Sequence, residues 1–135
     1  MTADGYRAKL DALRDGSLDP AGFGHRDHIG VACELLRHHE FFAATAIMAA
    51  GLRALTERAG VPEKYNATIT FASMSLIAER MRQDDFADAA DFVRRNADRL
   101  DLAFLTRQYP PERLHTPLAR AVPLLPGDQF ARMPA

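Results

Sequence analysis

The sequence has few of the features that mark several classes of protein. It contains one cysteine, Cys33, which cannot form an intrachain disulfide and which falls inside an apolar helical pattern suited to the core of a protein in a reducing compartment. No run of five like charges occurs, and 17 Lys and Arg balance 18 Asp and Glu, which argues against a nucleic-acid partner. No segment approaches the ~18 consecutive apolar residues of a membrane helix, and no signal-peptide pattern opens the chain. We therefore expect a soluble, cytoplasmic protein that binds neither membranes nor nucleic acid.

What the chain does contain is typical of an ordinary globular domain. Its 135 residues are 47% apolar and 26% charged, enough for one hydrophobic core but too few for two. The apolar residues recur with helical spacing, which predicts an all-α, single-domain bundle of about five to six helices spanning residues 1–135. Prolines at 123, 126 and 134 predict an extended, proline-rich tail from about residue 121 that lies across the bundle.

Caps and breakers give the expected boundaries of these helices. Gly16 ends a first helix over residues 3–15, and a second runs from His25 to about His38. A third begins near Phe41 and closes at Gly60. Pro62 suits the first turn of a fourth helix, because proline is favoured at that position. Shorter helical pieces are expected over residues 86–93 and 100–109, with a further helix start at 116–117.

The best candidate site is the segment Phe23-Gly24-His25-Arg26-Asp27-His28 at the start of the second helix. His25 and His28 are three residues apart on or beside the face expected to meet the core, so their imidazoles could reach a common point. Neutral imidazole is the commonest protein ligand for zinc, copper and iron. The alternative is structural, with His25 capping backbone N–H groups and Asp27 serving the helix dipole.

The fourth helix offers a second group of polar side chains. Asn66, Thr70 and Ser73 recur at i, i+4 and i+7, beside Tyr65. If the second, third and fourth helices run up, down and up, the N-termini of the second and fourth meet at one end of the bundle. That arrangement predicts a ligand pocket between the two groups. The two helix N-termini would favour an anionic ligand there.

The segments Phe23-Gly24-His25-Arg26-Asp27-His28 and Tyr65-Asn66-Ala67-Thr68-Ile69-Thr70 together resemble a family of small, poorly characterised bacterial all-helical proteins. Its motifs are F-x-H-x-D-H and Y-[HN]-x-T-I-T, and the resemblance covers roughly residues 20–120. In such relatives the residue at position 66 is often histidine, which implies a three-histidine set with His25 and His28. Asn66 departs from that set. Position 33 is more often aromatic in the family, so the resemblance implies a wider pocket floor at Cys33.

These observations lead to a first hypothesis, a protein that acts on a small molecule and that could be a histidine-dependent enzyme. His25 and His28 would serve as general base or as ligands of one transition metal ion, Zn, Cu or Fe, and Asp27 would orient an imidazole. The substrate-binding residues would be Tyr65, Asn66 and Thr70. His115 and the tail could fold over such a pocket.

The second hypothesis is a non-catalytic module that binds a small ligand or forms a homodimer. Phe41 and Phe42 are adjacent at a helix start and cannot both face one core. The dimer would form through the exposed part of these two residues and of the Leu52 to Leu55 region.

Overall fold

The computed structural model describes residues 1–131 and 133–134. All regular structure in these residues is helical, which confirms the all-α prediction. The described residues form eight α-helices, more than the five to six expected from the sequence, because three short helices of four or five residues accompany five helices of eight residues or more. Their bounds are α1 (Ala3–Asp15), α2 (His25–His38), α3 (Phe41–Arg58), α4 (Ala67–Gln83), α5 (Ala89–Asn96), α6 (Leu102–Thr106), α7 (Pro111–Leu114) and α8 (Pro117–Ala121).

The fourth helix does not begin at Pro62, contrary to the sequence prediction. Pro62–Lys64 form a separate 3-10 turn, and α4 starts at Ala67. The side-chain oxygen of Asn66 accepts a hydrogen bond from the Ile69 N–H at 2.9 Å, and this bond makes Asn66 the N-cap. Two residues, Tyr65 and Asn66, therefore lie between the turn and the helix, and both border a cavity.

The main core surrounds α2, which contacts α1, α3, α4 and α5. Seven consecutive residues from Ile29 to Leu35 are buried, because neighbours cover this helix on nearly all sides. Two glycines allow α1 to approach closely. A Cβ on Gly30 would lie 2.3 Å from the Tyr6 ring, and one on Gly51 would lie 2.6 Å from Leu13. Because these two glycines have no side chain, Tyr6 and Leu13 of α1 can pack directly against the backbones of α2 and α3.

The C-terminal third packs on the other side of α4. Ala72 of α4 forms a smaller apolar cluster with Leu105, Tyr109 and Leu114. Thr68 attaches the following segment. Its hydroxyl is 2.9 Å from the carbonyl oxygens of Ala119 and Val122, to which it can donate, and it accepts from the Leu124 N–H at 3.0 Å.

The chain after α8 is irregular and begins by crossing α4, as the predicted tail does. The Tyr109 hydroxyl also donates to the Leu124 carbonyl, at 2.9 Å. Phe130, further along, is exposed. Positions 132 and 135 of the predicted tail lie outside the described residues.

The two adjacent phenylalanines at the start of α3 face different ways, as the sequence requires. Phe41 is half-buried edge-on against Phe71, whereas Phe42 is 68% exposed. Leu55 is buried and Leu52 is half-buried, so the Leu52 to Leu55 part of the expected dimer face is not an exposed apolar surface. Within residues 1–131 and 133–134, no helix has the length and apolar character needed to cross a bilayer.

Candidate functional site

Asp27 closes the first turn of α2 and takes no part in orienting a histidine. Its Oδ2 accepts a hydrogen bond from the Gly24 N–H at 2.9 Å, and its Oδ1 lies 3.0 Å from Lys9 Nζ on α1. A carboxylate at this position caps the helix and favours its dipole. Since neither oxygen is hydrogen-bonded to an imidazole within the described residues, the prediction that Asp27 orients an imidazole is wrong and the structural alternative holds for this residue.

His25 lies at the exposed mouth of α2 and makes one long-range hydrogen bond. Its Nε2 is 3.0 Å from the carbonyl oxygen of Ala97, just past the end of α5. A carbonyl can only accept, so the proton must be on Nε2, and in the neutral ring Nδ1 is the acceptor. The bond joins two distant elements and caps no backbone N–H, so the capping interpretation of His25 is wrong.

His28 lies one turn further along α2 and is half-buried. Its ring meets Phe23 edge to face, with 6.3 Å between the ring centroids. Burial, and to a smaller extent the nearby His25, lower the pKa of His28 from its ordinary 6.5 to about 4. His28 is therefore a neutral imidazole at neutral pH, with one donor and one acceptor nitrogen.

The second motif brings Asn66 and Thr70 to the same place, but their polar groups are already used. The Asn66 amide donates to the Leu114 carbonyl at 2.7 Å while its oxygen caps α4. The Thr70 hydroxyl donates to the Asn66 carbonyl at 2.8 Å, a bond within the first turn of the helix. Both side chains are buried. Asn66 therefore holds α4 against α7, and Thr70 closes the first turn of α4.

Tyr65 and Ser73 differ from these two residues because their hydroxyls make no hydrogen bond within the described residues. Tyr65 is half-buried, and the Arg53 guanidinium lies 5.5 Å from its ring centroid. Ser73 is half-buried one turn after Thr70. Each hydroxyl can therefore serve a bound molecule.

Both motifs line one cavity of about 370 Å³, as the topology argument predicts. Five of the six predicted site residues border it, and Asp27 does not. Neither His115 nor the described residues of the tail after α8 border it. The complete lining is Phe23, Gly24, His25, His28, Leu52, Thr56, Lys64, Tyr65, Asn66, Ile69, Thr70, Ser73, Leu76, Ile77, Leu100, Asp101, Leu102 and Leu105.

Sequence reasoning missed the wall that the α5 to α6 connection contributes. Leu100, Asp101 and Leu102 border the cavity from this side, and the His25 bond to Ala97 lies just before them. Nothing in the local pattern of residues 97–102 indicates a binding role, because their position depends on a contact between His25 and Ala97, which are 72 residues apart in the chain. Only the long-range packing of α5 on α2 brings them here.

The residues present do not fit a transition metal. In the described part of the chain, no three His, Cys, Asp or Glu side chains converge with the geometry of a metal site. The Nε2 of His25 is occupied by a carbonyl, and Asn66 is both a cap and a poor ligand. Cys33 cannot substitute as a reactive thiol, since it is fully buried and burial raises its pKa to about 12.

Comparison with known proteins adds no family to this geometry. No protein-family model, no curated protein and no solved structure matches the chain. The resemblance to the small bacterial family therefore stays a prediction.

Proposed function

We propose that this protein binds a small, largely apolar molecule in the cavity between the start of α2 and the start of α4. The observation that supports this function best is the unpaired state of the His28 imidazole among the described residues. Its imidazole borders the cavity and is half-buried, yet it makes no hydrogen bond to the described residues. A partly desolvated imidazole without a protein partner is costly unless water or a ligand supplies one.

The size and lining of the cavity suit a small ligand. Its volume of about 370 Å³ is near the lower end of the usual range for ligand pockets. At ~30 Å³ for each water-sized group, it accommodates roughly a dozen non-hydrogen atoms. Most of its large side chains are apolar, and a few convergent polar groups stand among them, which is the usual composition of a small-molecule site.

An acid–base role, if the protein has one, falls to His25 rather than to His28. A general base works best when its pKa is near the operating pH, and the pKa of His28 is about 4. The Nε2 of His25 is held by the Ala97 carbonyl, which orients the ring as a second group orients a catalytic base. Catalysis remains a prediction, and binding is the function that the geometry favours.

The binding function is tested by blocking the cavity. Neutral, cationic and anionic aromatic fragments of about a dozen non-hydrogen atoms are screened by ligand-observed NMR against the wild type and Ser73→Leu. Ser73 borders the cavity, so a leucine there fills it. Ser75→Leu is the matched control, because Ser75 is exposed on the same helix and outside this cavity.

Fragments that bind the wild type and Ser75→Leu, but not Ser73→Leu, support the proposal. Equal binding to all three proteins, or no binding to any of them, contradicts it. Circular dichroism establishes that both variants keep the helical fold.

A further inference from the structure

The polar groups of the cavity fall into two sets, according to whether their hydrogen-bonding capacity is used. The Asn66 amide and the Thr70 hydroxyl each donate to a carbonyl oxygen of the protein, and Thr56 likewise donates to carbonyls of its own helix. The Nε2 of His25 is also held by a backbone carbonyl. The imidazole of His28 and the hydroxyls of Tyr65 and Ser73 have no such partners within the described residues. These three groups are therefore the ones available to hydrogen-bond to a ligand.

All three groups of that set are uncharged at neutral pH. His28 is kept neutral by its surroundings, and the other two are hydroxyls. The charged side chains that border the cavity, Lys64 and Asp101, are of opposite sign and both exposed, so they lie at its mouth, where water solvates them. Neither motif contributes an Asp, Glu, Lys or Arg side chain to the lining.

Burying an ionised group beside neutral partners is costly, because each charge loses its hydration without gaining a counter-charge. A neutral hydroxyl incurs a much smaller cost, and it can both donate to and accept from an imidazole. Apolar side chains supply the remaining surface, with Leu105 and Ile77 buried at the floor and Phe23 against the His28 ring.

We infer that the ligand is a neutral, hydroxyl-bearing apolar molecule, and that the hydroxyl hydrogen-bonds to the imidazole of His28 while the apolar body fills the cavity. This inference rests on the proposed binding function and narrows it to one ligand class. The sequence led us to expect an anionic ligand at the two helix N-termini. In the structure Asn66 and Asp27 already cap those N-termini, so we propose a neutral ligand instead.

The test compares three probes of similar shape, para-propylphenol, propylbenzene and para-propylbenzoate, by isothermal titration calorimetry at neutral pH. We expect the phenol to bind about tenfold more tightly than propylbenzene, which corresponds to one hydrogen bond, and the benzoate to bind most weakly. His28→Phe should abolish the preference for phenol over propylbenzene, because it removes the hydrogen-bonding group and keeps a ring. His115→Phe is the matched control, because His115 is exposed and outside the cavity.

His28→Gln is a second variant, which keeps a neutral donor and acceptor and should retain part of the preference even if the phenylalanine variant folds poorly. Tightest binding of para-propylbenzoate overturns the inference in favour of an anionic ligand. Equal affinity for the phenol and propylbenzene overturns the polar contact but leaves the binding function standing. If none of the probes binds and the fragment screen is also empty, the proposed function fails, and this inference fails with it.

Discussion

At the scale of single residues, His28 is the group whose surroundings differ most from water among the histidines. Its pKa is about 4 in the folded protein, against 6.5 for the ordinary side chain. The unfolded chain therefore takes up a proton below pH 6.5 that the native protein does not. The stability that His28 contributes is complete above pH 6.5 and is lost as the pH falls from 6.5 to 4.

We predict that His28→Phe reduces the loss of stability between pH 6.5 and 4 by about 3 kcal/mol, taking 1.36 kcal/mol for each pKa unit. His25 is the neighbouring titratable group that also lowers the pKa of His28. Urea unfolding at several pH values measures the effect. The pKa values of Asp84 and Asp91 are lowered from 3.8, so these carboxylates change the free energy of unfolding mainly below pH 4 and affect the interval from 6.5 to 4 very little. Parallel curves for wild type and variant would contradict the prediction, and His115→Phe provides the control.

Glu34 is the second unusual residue, because it is fully buried on α2 and neither carboxylate oxygen has a hydrogen bond within the described residues. Its nearest cations are Arg37 Nη1 at 3.7 Å and Arg7 Nη1 at 3.9 Å, and the His38 imidazole Nε2 also lies 3.7 Å away. These distances are too long for direct hydrogen bonds. The attraction therefore only partly offsets the cost of burying the carboxylate.

We predict that Glu34→Met raises the free energy of unfolding by about 1–2 kcal/mol, because methionine fills the same space without a charge and the neighbouring cations can turn toward water. Glu34→Gln should not gain stability, since the amide remains buried without partners. Chemical denaturation of both variants, with the exposed Glu57→Met as control, measures the difference. A less stable Glu34→Met protein would show that the ion cluster is a net stabiliser.

At the scale of elements, Asn66 connects two helices. Its side-chain oxygen caps α4, and its amide holds the carbonyl of Leu114 at the end of α7. Asn66→Ala removes both bonds and should cost about 2–3 kcal/mol, the sum of a lost cap and a buried carbonyl left without a donor. Asn66→Ser keeps a capping oxygen but cannot reach Leu114, so it should recover about 1 kcal/mol of that loss. Equal unfolding free energies for the two variants would show that the capping oxygen at position 66 makes no separate contribution to stability.

At the scale of the whole molecule, the two apolar clusters differ in size and share α4. The main cluster contains buried residues from α1 to α5, whereas α6, α7 and α8 contribute one buried apolar residue each, Leu105, Leu114 and Ala119. Segments with so little buried surface open at a lower free energy than the rest of a domain. The short helices therefore form the less stable part of the protein, and one of them borders the cavity.

We predict that amides of residues 102–122 exchange with solvent at least tenfold faster than those of α2 and α3, which corresponds to about 1.4 kcal/mol of opening free energy. Thr68→Val should accelerate exchange in this segment further, because it removes the hydroxyl bound to the Ala119 and Val122 carbonyls. Thr45→Val is the control, since its hydroxyl bonds only within α3. Hydrogen exchange with mass spectrometry gives both rates. Uniform exchange across the chain would contradict the prediction.

The sequence by itself determined the fold class and most helix boundaries, because these depend on local patterns. The left-handed glycines Gly16 and Gly60 follow α1 and α3 as expected, and Thr116 caps α8. The start of α4 was misplaced because proline suits a 3-10 turn as well as a helix. The sequence also brought His25, His28 and the Tyr65 to Thr70 segment to one end of the bundle, since helical spacing and short connections leave few alternatives.

Only the tertiary structure decided what each of these side chains does there. Asn66 and Thr70 carry the same chemical groups whether they cap a helix or bind a ligand, and their partners are fixed by packing. The burial that makes His28 neutral, the carbonyl that holds His25 and the wall at Leu100 to Leu102 all arise from contacts between distant segments. Burial and long-range hydrogen bonds cannot be deduced from local spacing, and in this protein they make the imidazole of His28 a neutral group in a largely apolar cavity.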